Sequence, residues 1–144
     1  MSAVAVHPVV SGRPDGPAVV LSNSLGSTHR MWDPQVEALN ERFRVIRYDT
    51  RGHGGSPVPP GPYTIDDLTD DLLALLDRLD IERAHVIGLS LGGMTAMRLA
   101  ARNPERVDRM ALLCTAAYLP PEQAWTDRAA TVRAARTKPL PKPP

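Results

Sequence analysis

The most constraining feature of the sequence is a short apolar segment that ends abruptly in a serine framed by glycines. Residues 84–93 read AHVIGLSLGG, and good helix formers follow as far as Asn103 and Pro104. An apolar run, a glycine-rich break and a helical pattern predict a buried strand, a sharp bend and a helix. Ser90 lies at the bend, within a Gly-x-Ser-x-Gly pattern.

This order of elements favours a nucleophilic role for Ser90. In such a turn the serine is held in a strained backbone conformation at the carboxyl end of a strand. Gly88 and Gly92 have no Cβ atom, so the strand and the helix can approach closely on either side of it. The helix N-terminus would direct free N–H groups at a developing oxyanion. An ordinary glycine-rich turn is the alternative, but the strand before it and the helix after it favour the nucleophile.

Short apolar runs recur upstream and downstream of this bend. They are rich in branched or apolar residues and are bounded by turn-forming residues, a pattern that predicts strands. The first run contains Pro8 and is expected at the edge of a sheet, where proline is tolerated. Besides the run that leads to Ser90, the predicted strands are residues 4–10, 18–22, 44–48 and 107–114.

Helical patterns separate these strands. One helix is predicted to start near Asp33, as the capping residue, with Pro34 in its first turn. Another follows Thr64, which would form a capping box with Asp67. The leucines of this second helix recur at helical spacing and predict a buried side, with charged residues outside. The leucines are Leu68, Leu72, Leu75, Leu76 and Leu79, and the residues expected outside are Asp70, Asp71, Asp77 and Arg78.

The alternation of strands and helices predicts an α/β fold, in which a mostly parallel sheet carries helices on both faces. Ligands bind such sheets above the carboxyl ends of the strands. The loops at residues 23–29 and 49–56 leave those ends and are expected to converge there with the Ser90 bend.

Length, charge and motif content exclude several other classes. A chain of 144 residues is expected to form one domain. Its net charge of +1 gives no overall field that would recruit nucleic acid or a membrane, and neither a signal peptide nor a membrane-spanning segment is expected. Cys114 is the one cysteine, which excludes an internal disulfide and fits a cytoplasmic location. Without a phosphate-binding loop, a Cys/His cluster or a Rossmann pattern, no cofactor and no metal is expected.

Several motifs carry a family resemblance over roughly residues 1–135. They are LSNSLG, MWDPQ, FRVIRYDTRGHG, PPGPYT, GLSLGGM and PPEQAW. With these motifs the chain resembles the amino-terminal part of α/β-hydrolases, and more closely the 3-oxoadipate enol-lactonases of the β-ketoadipate pathway of aromatic catabolism. Esterases, perhydrolases and carbon–carbon hydrolases share the motifs of the 23–29 loop and of the Ser90 bend, so these activities remain open.

The resemblance implies a role for individual residues. Ser90 matches the nucleophile that forms an acyl-enzyme, and the N–H groups of Leu25 and Leu91 match the two oxyanion donors. The enol-lactone substrate carries a carboxylate, for which Arg128 and Trp125 are the candidate binding pair. These two side chains could instead simply cover the core. The implied division is an amino-terminal hydrolase core at 1–118, the start of a cap at 119–136 and a proline-rich, disordered tail at 137–144.

The resemblance also shows what these residues lack. A serine hydroxyl needs a base, and in this family the order is serine, acid, histidine. The four histidines, His7, His29, His53 and His85, all precede Ser90. The acid and the histidine are therefore expected beyond residue 135, in a longer gene product that was cut short or frame-shifted.

Three consequences are expected for the chain as it stands. It should be nearly inactive, and residues 107–114 should expose an apolar sheet edge that promotes self-association. The expected partner is a small lactone or ester, and neither nucleic acid nor a membrane. Two alternatives remain: a noncatalytic remnant that binds a small acid, and a nucleic-acid patch built from the five basic residues of 128–144.

Overall fold

A five-stranded sheet forms the centre of the structure, a computed structural model that describes residues 2–136. Four α-helices and two short 3-10 turns, at His29–Trp32 and Pro104–Arg106, surround it in this part of the chain. The strands are β1 (Pro8–Gly12), β2 (Ala18–Ser22), β3 (Arg44–Tyr48), β4 (Ala84–Leu89) and β5 (Val107–Leu113). The helices are α1 (Asp33–Asn40), α2 (Ile65–Arg78), α3 (Leu91–Arg102) and α4 (Glu122–Arg136).

The sheet is mostly parallel, as predicted. Its strand order is β1-β3-β2-β4-β5, and only the β1–β3 pair is antiparallel among the described strands. Because β2, β3 and β4 run in the same direction, the loops that follow them leave from one edge of the sheet. The predicted α/β class and the expected meeting of these loops are confirmed.

Alternate residues of the central strands build two apolar layers, because successive strand side chains point to opposite faces. On one face, Val20, Ile46 and Val86 pack against leucines of α2 and α3, including Leu72 and Leu99. The other face carries a second cluster, formed by Val19, Leu21 and Val45 with Trp32 and with Leu39 of α1. Helices therefore cover both faces of the sheet.

The first strand begins later than predicted. Residues 4–10 were expected to form it, but β1 starts at Pro8. The preceding segment packs over α2: Val6 is buried, its carbonyl accepts a hydrogen bond of 2.7 Å from Arg78, and the Val4 N–H donates to Asp71 at 2.6 Å. Side chains of α2 thus satisfy backbone groups that a strand would have paired. The predicted edge position is confirmed, since β1 pairs only with β3 among the described strands.

The two predicted helix starts have different outcomes. Helix α1 begins at Asp33 itself, and Trp32 occupies the cap position without a side-chain bond. Asp33 does not cap the helix, because its carboxylate pairs with Arg47 instead. In α2 the capping box is present: Thr64 Oγ1 accepts from the Asp67 N–H at 3.1 Å, and Asp67 Oδ2 accepts from the Thr64 N–H at 2.8 Å. Thr64 Oγ1 also donates to Asp67 Oδ2 at 2.7 Å, and this bond, together with that from the Thr64 N–H, lowers the pKa of Asp67 to about 2.

The prediction that Asp71 faces outward is wrong. Its side chain is 2% exposed and contacts the fully buried guanidinium of Arg51. Arg51 Nε and Nη2 donate to the two carboxylate oxygens at 2.6 and 2.7 Å. Helical spacing shows which face of the helix a residue occupies, but it does not show that a buried cation, here Arg51, packs against that face.

Strand β5 forms the far edge of the sheet among the described residues. Its neighbour is β4, and the side chains of Met110, Leu112 and Leu113 are 40–42% exposed. The expected apolar edge is therefore present. Helix α4 lies in the segment 119–136 that was predicted as the start of a cap, whereas the tail predicted at 137–144 lies outside the described residues. No helix in residues 2–136 combines the length and apolar character needed to cross a bilayer.

Candidate active site

Ser90 occupies a sharp turn between β4 and α3. Its φ and ψ are 54° and −113°, in the left-handed half of the Ramachandran plot that residues with a Cβ rarely adopt. Both of its backbone groups are held: the N–H donates to the Leu113 carbonyl at 2.9 Å, and the carbonyl accepts from Gly93 N–H at 2.9 Å and Thr115 Oγ1 at 2.7 Å. Contacts with β5 and the segment after it thus maintain the strained conformation.

The framing glycines are required by close backbone contacts. A Cβ atom on Gly88 would lie 2.4 Å from the Gly92 carbonyl oxygen, and one on Gly92 would lie 2.1 Å from the Ser22 carbonyl oxygen. Neither neighbour is a flexible side chain, so neither can move aside cheaply. The close approach that the pattern predicts is therefore observed on both sides of Ser90.

Two N–H groups of residues that line the cavity have no internal acceptor. The Leu91 N–H is the first of α3 and has no intrahelical partner. The Leu25 N–H lies in the loop at residues 23–28, and neither group donates a hydrogen bond to another atom of residues 2–136. Leu25, Leu91 and Ser90 line the same cavity.

A buried polar network anchors the start of the 23–28 loop. Asn23 donates to the Tyr48 carbonyl at 2.7 Å and accepts from the Trp32 indole N–H at 2.9 Å. Ser22 and the Tyr48 hydroxyl share a hydrogen bond of 2.8 Å, and burial raises the pKa of Tyr48 to about 12. The loop therefore leaves β2 in a direction fixed by β3 and the 3-10 turn.

The cavity above the sheet edge has a volume of about 610 Å³. The segment after β5 and helix α4 form its far wall, where Trp125 and Arg128 lie with Glu122. The Arg128 Cζ atom is 5.7 Å from the centroid of the Trp125 ring, whose N–H donates to the Leu119 carbonyl at 2.9 Å. The structure thus brings all five predicted site residues to one cavity. They are Leu25, Ser90, Leu91, Trp125 and Arg128.

None of the four histidines, all of which lie within residues 2–136, lines this cavity. His85 lies at the amino end of β4, where its Nδ1 is 3.5 Å from Asp108. His29 contacts Asp49, and the His53 ring contacts backbone atoms through both nitrogens. The Ser90 hydroxyl forms no hydrogen bond with another atom of the described chain, which also contains no cluster of three or more His, Cys, Asp or Glu side chains suited to a metal.

Sequence reasoning missed the part played by Asp49 at the end of β3. Its buried carboxylate accepts from the Gly55 N–H at 2.9 Å and from the His29 N–H at 2.7 Å, and the His29 ring lies 3.0 Å away. Burial disfavours the charged form, but the N–H donors and His29 outweigh it and hold the pKa of Asp49 below its ordinary value. Asp49 thereby joins the 23–29 and 49–56 loops. An aspartate placed directly before a glycine-rich loop was the available signal.

Comparisons with known proteins agree with this architecture. The family described as alpha/beta hydrolase fold matches residues 17–136. The 3-oxoadipate enol-lactonase 2 of Acinetobacter baylyi is 45% identical over 130 residues, which are 90% of this chain and 49% of that protein. A putative carbamate hydrolase, RutD of Caulobacter segnis, is 40% identical over 97 residues, which are 66% of this chain and 36% of that protein.

A solved structure shows the same relation. The crystal structure of the enol-lactonase from Burkholderia xenovorans LB400 matches with a TM-score of 0.86 and 51% identity, over 89% of this chain and 50% of that one. The chain thus spans about half the length of the enol-lactonases it matches. With the family match, the sheet order and the strained serine turn, the chain belongs to the α/β-hydrolase family.

Proposed function

We propose that this chain carries the nucleophile and the oxyanion donors of a lactone or carboxylic-ester hydrolase. The observation that carries the proposal is the Ser90 turn, a strained serine that opens into a cavity beside two N–H groups without acceptors. A protein maintains such strain where the chemistry needs it. The family membership supports the same reaction class.

The proposed reaction proceeds through an acyl-enzyme. The Ser90 oxygen attacks the carbonyl carbon and loses its proton to a base, while the carbonyl electrons move to the oxygen between the Leu25 and Leu91 N–H groups. Each such donor stabilises the transition state by about 3 kcal/mol. The electrons then re-form the carbonyl, the ring C–O bond breaks, and the leaving oxygen takes up the proton. Water hydrolyses the resulting ester and restores Ser90.

The favoured substrate is 3-oxoadipate enol-lactone. Three enol-lactonases are among the similar proteins, at 44–51% identity. The substrate carries a free carboxylate, and the planar guanidinium of Arg128, which lies beside the Trp125 ring, is suited to receive it. Glu122 shares the lining, so the carboxylate would bind at the Arg128 end of the cavity. Ester, carbamate and carbon–carbon bond hydrolysis are the alternatives within the same chemistry.

We expect the 144-residue chain to react slowly at Ser90. A positioned base contributes typically about 10²- to 10⁴-fold to such a step, and no histidine of this chain lines the cavity. An exogenous base should therefore replace part of what is missing. Imidazole is small enough for a cavity of about 610 Å³.

A fluorophosphonate probe tests the proposal. We expect slow labelling at Ser90, located by peptide mass spectrometry, and a rate that rises with added imidazole at constant pH. Ser90→Ala should abolish the labelling. Ser24→Ala is the matched control, because Ser24 lines the same cavity outside the strained turn, and it should label like the parent chain. Labelling that is absent with imidazole, or that persists in Ser90→Ala, would contradict the assignment of Ser90 as the nucleophile.

A second candidate function is noncatalytic binding of a small carboxylic acid. It is favoured by the Arg128–Trp125 pair in a cavity that no imidazole lines. Calorimetry with adipate distinguishes the two functions: binding that is lost in Arg128→Met, in a chain whose Ser90 never labels, would favour the binding function over the hydrolase.

A further inference from the structure

The His53 ring bridges two loops at the edge of the cavity. Its Nε2 lies 2.9 Å from the Gly26 N–H, in the 23–28 loop, and its Nδ1 lies 3.1 Å from the Arg51 carbonyl oxygen. A backbone N–H can only donate a hydrogen bond, and a carbonyl oxygen can only accept one. Both contacts are satisfied by one form of the ring alone, the neutral tautomer with its proton on Nδ1.

The loop that receives this contact is shaped by local bonds: the Ser27 N–H and Oγ donate to the Ser24 carbonyl at 3.3 and 2.7 Å, and Ser27 Oγ lies 3.0 Å from Met31 Sδ. Gly26 has a φ of +77°, and a Cβ atom placed on it would meet nothing within 4 Å. Leu25 is 45% exposed. The buried network at Asn23 fixes where the loop begins, but it does not reach the tip. The Gly26–His53 bond thus attaches the tip to the 49–56 loop.

We propose that His53 is a positioning residue, whose neutral ring holds the tip of the 23–28 loop and with it the Leu25 N–H. Protonation of Nε2 turns that atom into a donor and abolishes the bond to Gly26. The loop tip is therefore released when the ring is protonated. The consequence for chemistry rests on the proposed oxyanion role of Leu25, whereas the bond itself does not.

The other contacts of charged groups at these loops do not require a neutral imidazole ring, whereas the bond from Gly26 to His53 does. Asp49 is bonded to His29, and protonation of the His29 ring would strengthen that contact. The guanidinium of Arg51 is directed away to Asp71, and the Tyr63 ring lies against Gly52. The second connection between the loops, through Asp49, should therefore persist in acid.

Nuclear magnetic resonance of the ¹⁵N-labelled chain tests the bond directly. A scalar coupling between the Gly26 amide nitrogen and His53 Nε2 is expected at neutral pH and should vanish as the His53 ring titrates. The Gly26 amide shift should follow the same midpoint as the His53 ring protons. A Gly26 signal that follows a different midpoint, or shows no coupling at any pH, would overturn the proposal.

Two substitutions separate positioning from bulk. In His53→Gln the side-chain oxygen can reach the Nε2 position. The Gly26 amide should therefore keep the chemical shift of its hydrogen-bonded state, and this shift should no longer depend on pH. The asparagine of His53→Asn is too short to reach Gly26, so the Gly26 amide should show the shift of the unbonded state at every pH. His85→Gln is the matched control, since that ring lies at the opposite edge of the sheet, and the titration of Gly26 should persist in it.

The same variants report on chemistry through labelling of Ser90 at constant imidazole and pH 8. His53→Asn should slow labelling about tenfold or more, because losing an oxyanion donor outright costs about 10²- to 10³-fold, whereas His53→Gln should stay within twofold of the parent. If Ser90 labels in no variant, the proposed function fails while the coupling still decides the role of His53. Equal labelling of the Asn and Gln variants would overturn the link to Leu25.

Discussion

Replacing Asp71 by asparagine removes the charge from one side of a buried ion pair. The Arg51 side chain is fully buried and that of Asp71 is 2% exposed. Asparagine has nearly the same shape, but it would place an N–H₂ group where one carboxylate oxygen now accepts from Arg51. The guanidinium would keep its positive charge in a site from which water is excluded.

The magnitude follows from what the substitution leaves behind. Two short bonds join the pair, at 2.6 and 2.7 Å, and Asp71 also accepts from the Val4 N–H. Removing one partner of a buried pair costs about 3–5 kcal/mol. Asp67 Oδ1, 3.8 Å from Arg51 Nη1, would still offset part of the buried charge, so the loss is expected at the lower end, about 3 kcal/mol. Total stabilities of single domains are about 5–15 kcal/mol. Asp71→Asn is therefore expected to remove a large share of the free energy of unfolding.

Urea unfolding followed by circular dichroism measures this loss. With a slope of about 2 kcal/mol per M, a loss of about 3 kcal/mol lowers the midpoint by about 1.5 M. Asp70→Asn is the matched control: it is the same change one residue earlier in α2, in a pair with Arg102 that is one-third exposed. It should move the midpoint far less, since surface pairs contribute little. Equal shifts for Asp70→Asn and Asp71→Asn would refute the reasoning.

Three further predictions concern the Ser90 turn, the exposed edge of β5 and the stability of the chain at low pH. Gly92→Ala should abolish Ser90 labelling and lower the unfolding midpoint, because its Cβ would lie 2.1 Å from the Ser22 carbonyl oxygen; an unchanged labelling rate would contradict the tight turn. Leu112→Lys, on the exposed edge of β5, should reduce self-association in analytical ultracentrifugation, and an unchanged sedimentation profile would count against the edge as the contact. The pKa of Asp67 is lowered to about 2, so its contribution to stability is present above the ordinary carboxyl pKa and is lost as the pH falls from about 4 to 2. Thr64→Ala removes the hydroxyl, which is the largest cause of the shift, and keeps the backbone N–H. It should make the stability profile less steep over that range, and a profile as steep as the parent's would show that the shift has another origin.

Much of the fold follows from local and periodic features of the sequence. The capping box at Thr64 and the leucine face of α2 depend on residues three or four positions apart, so the sequence itself contains both partners. The Ser90 turn is equally local, because the glycines that permit it lie within two residues of it. These features made the α/β class and the position of the candidate nucleophile predictable.

Tertiary structure alone decided which charged and hydrogen-bonding side chains are buried and which partners they have. Asp71 is buried because Arg51, 20 residues earlier, lies against α2, and β1 begins late because side chains of that helix satisfy the backbone before Pro8. The tautomer of His53 likewise depends on Gly26, 27 residues away. A periodic pattern reports which face a residue occupies, whereas burial of a polar group depends on a partner that only the folded chain brings within hydrogen-bonding distance.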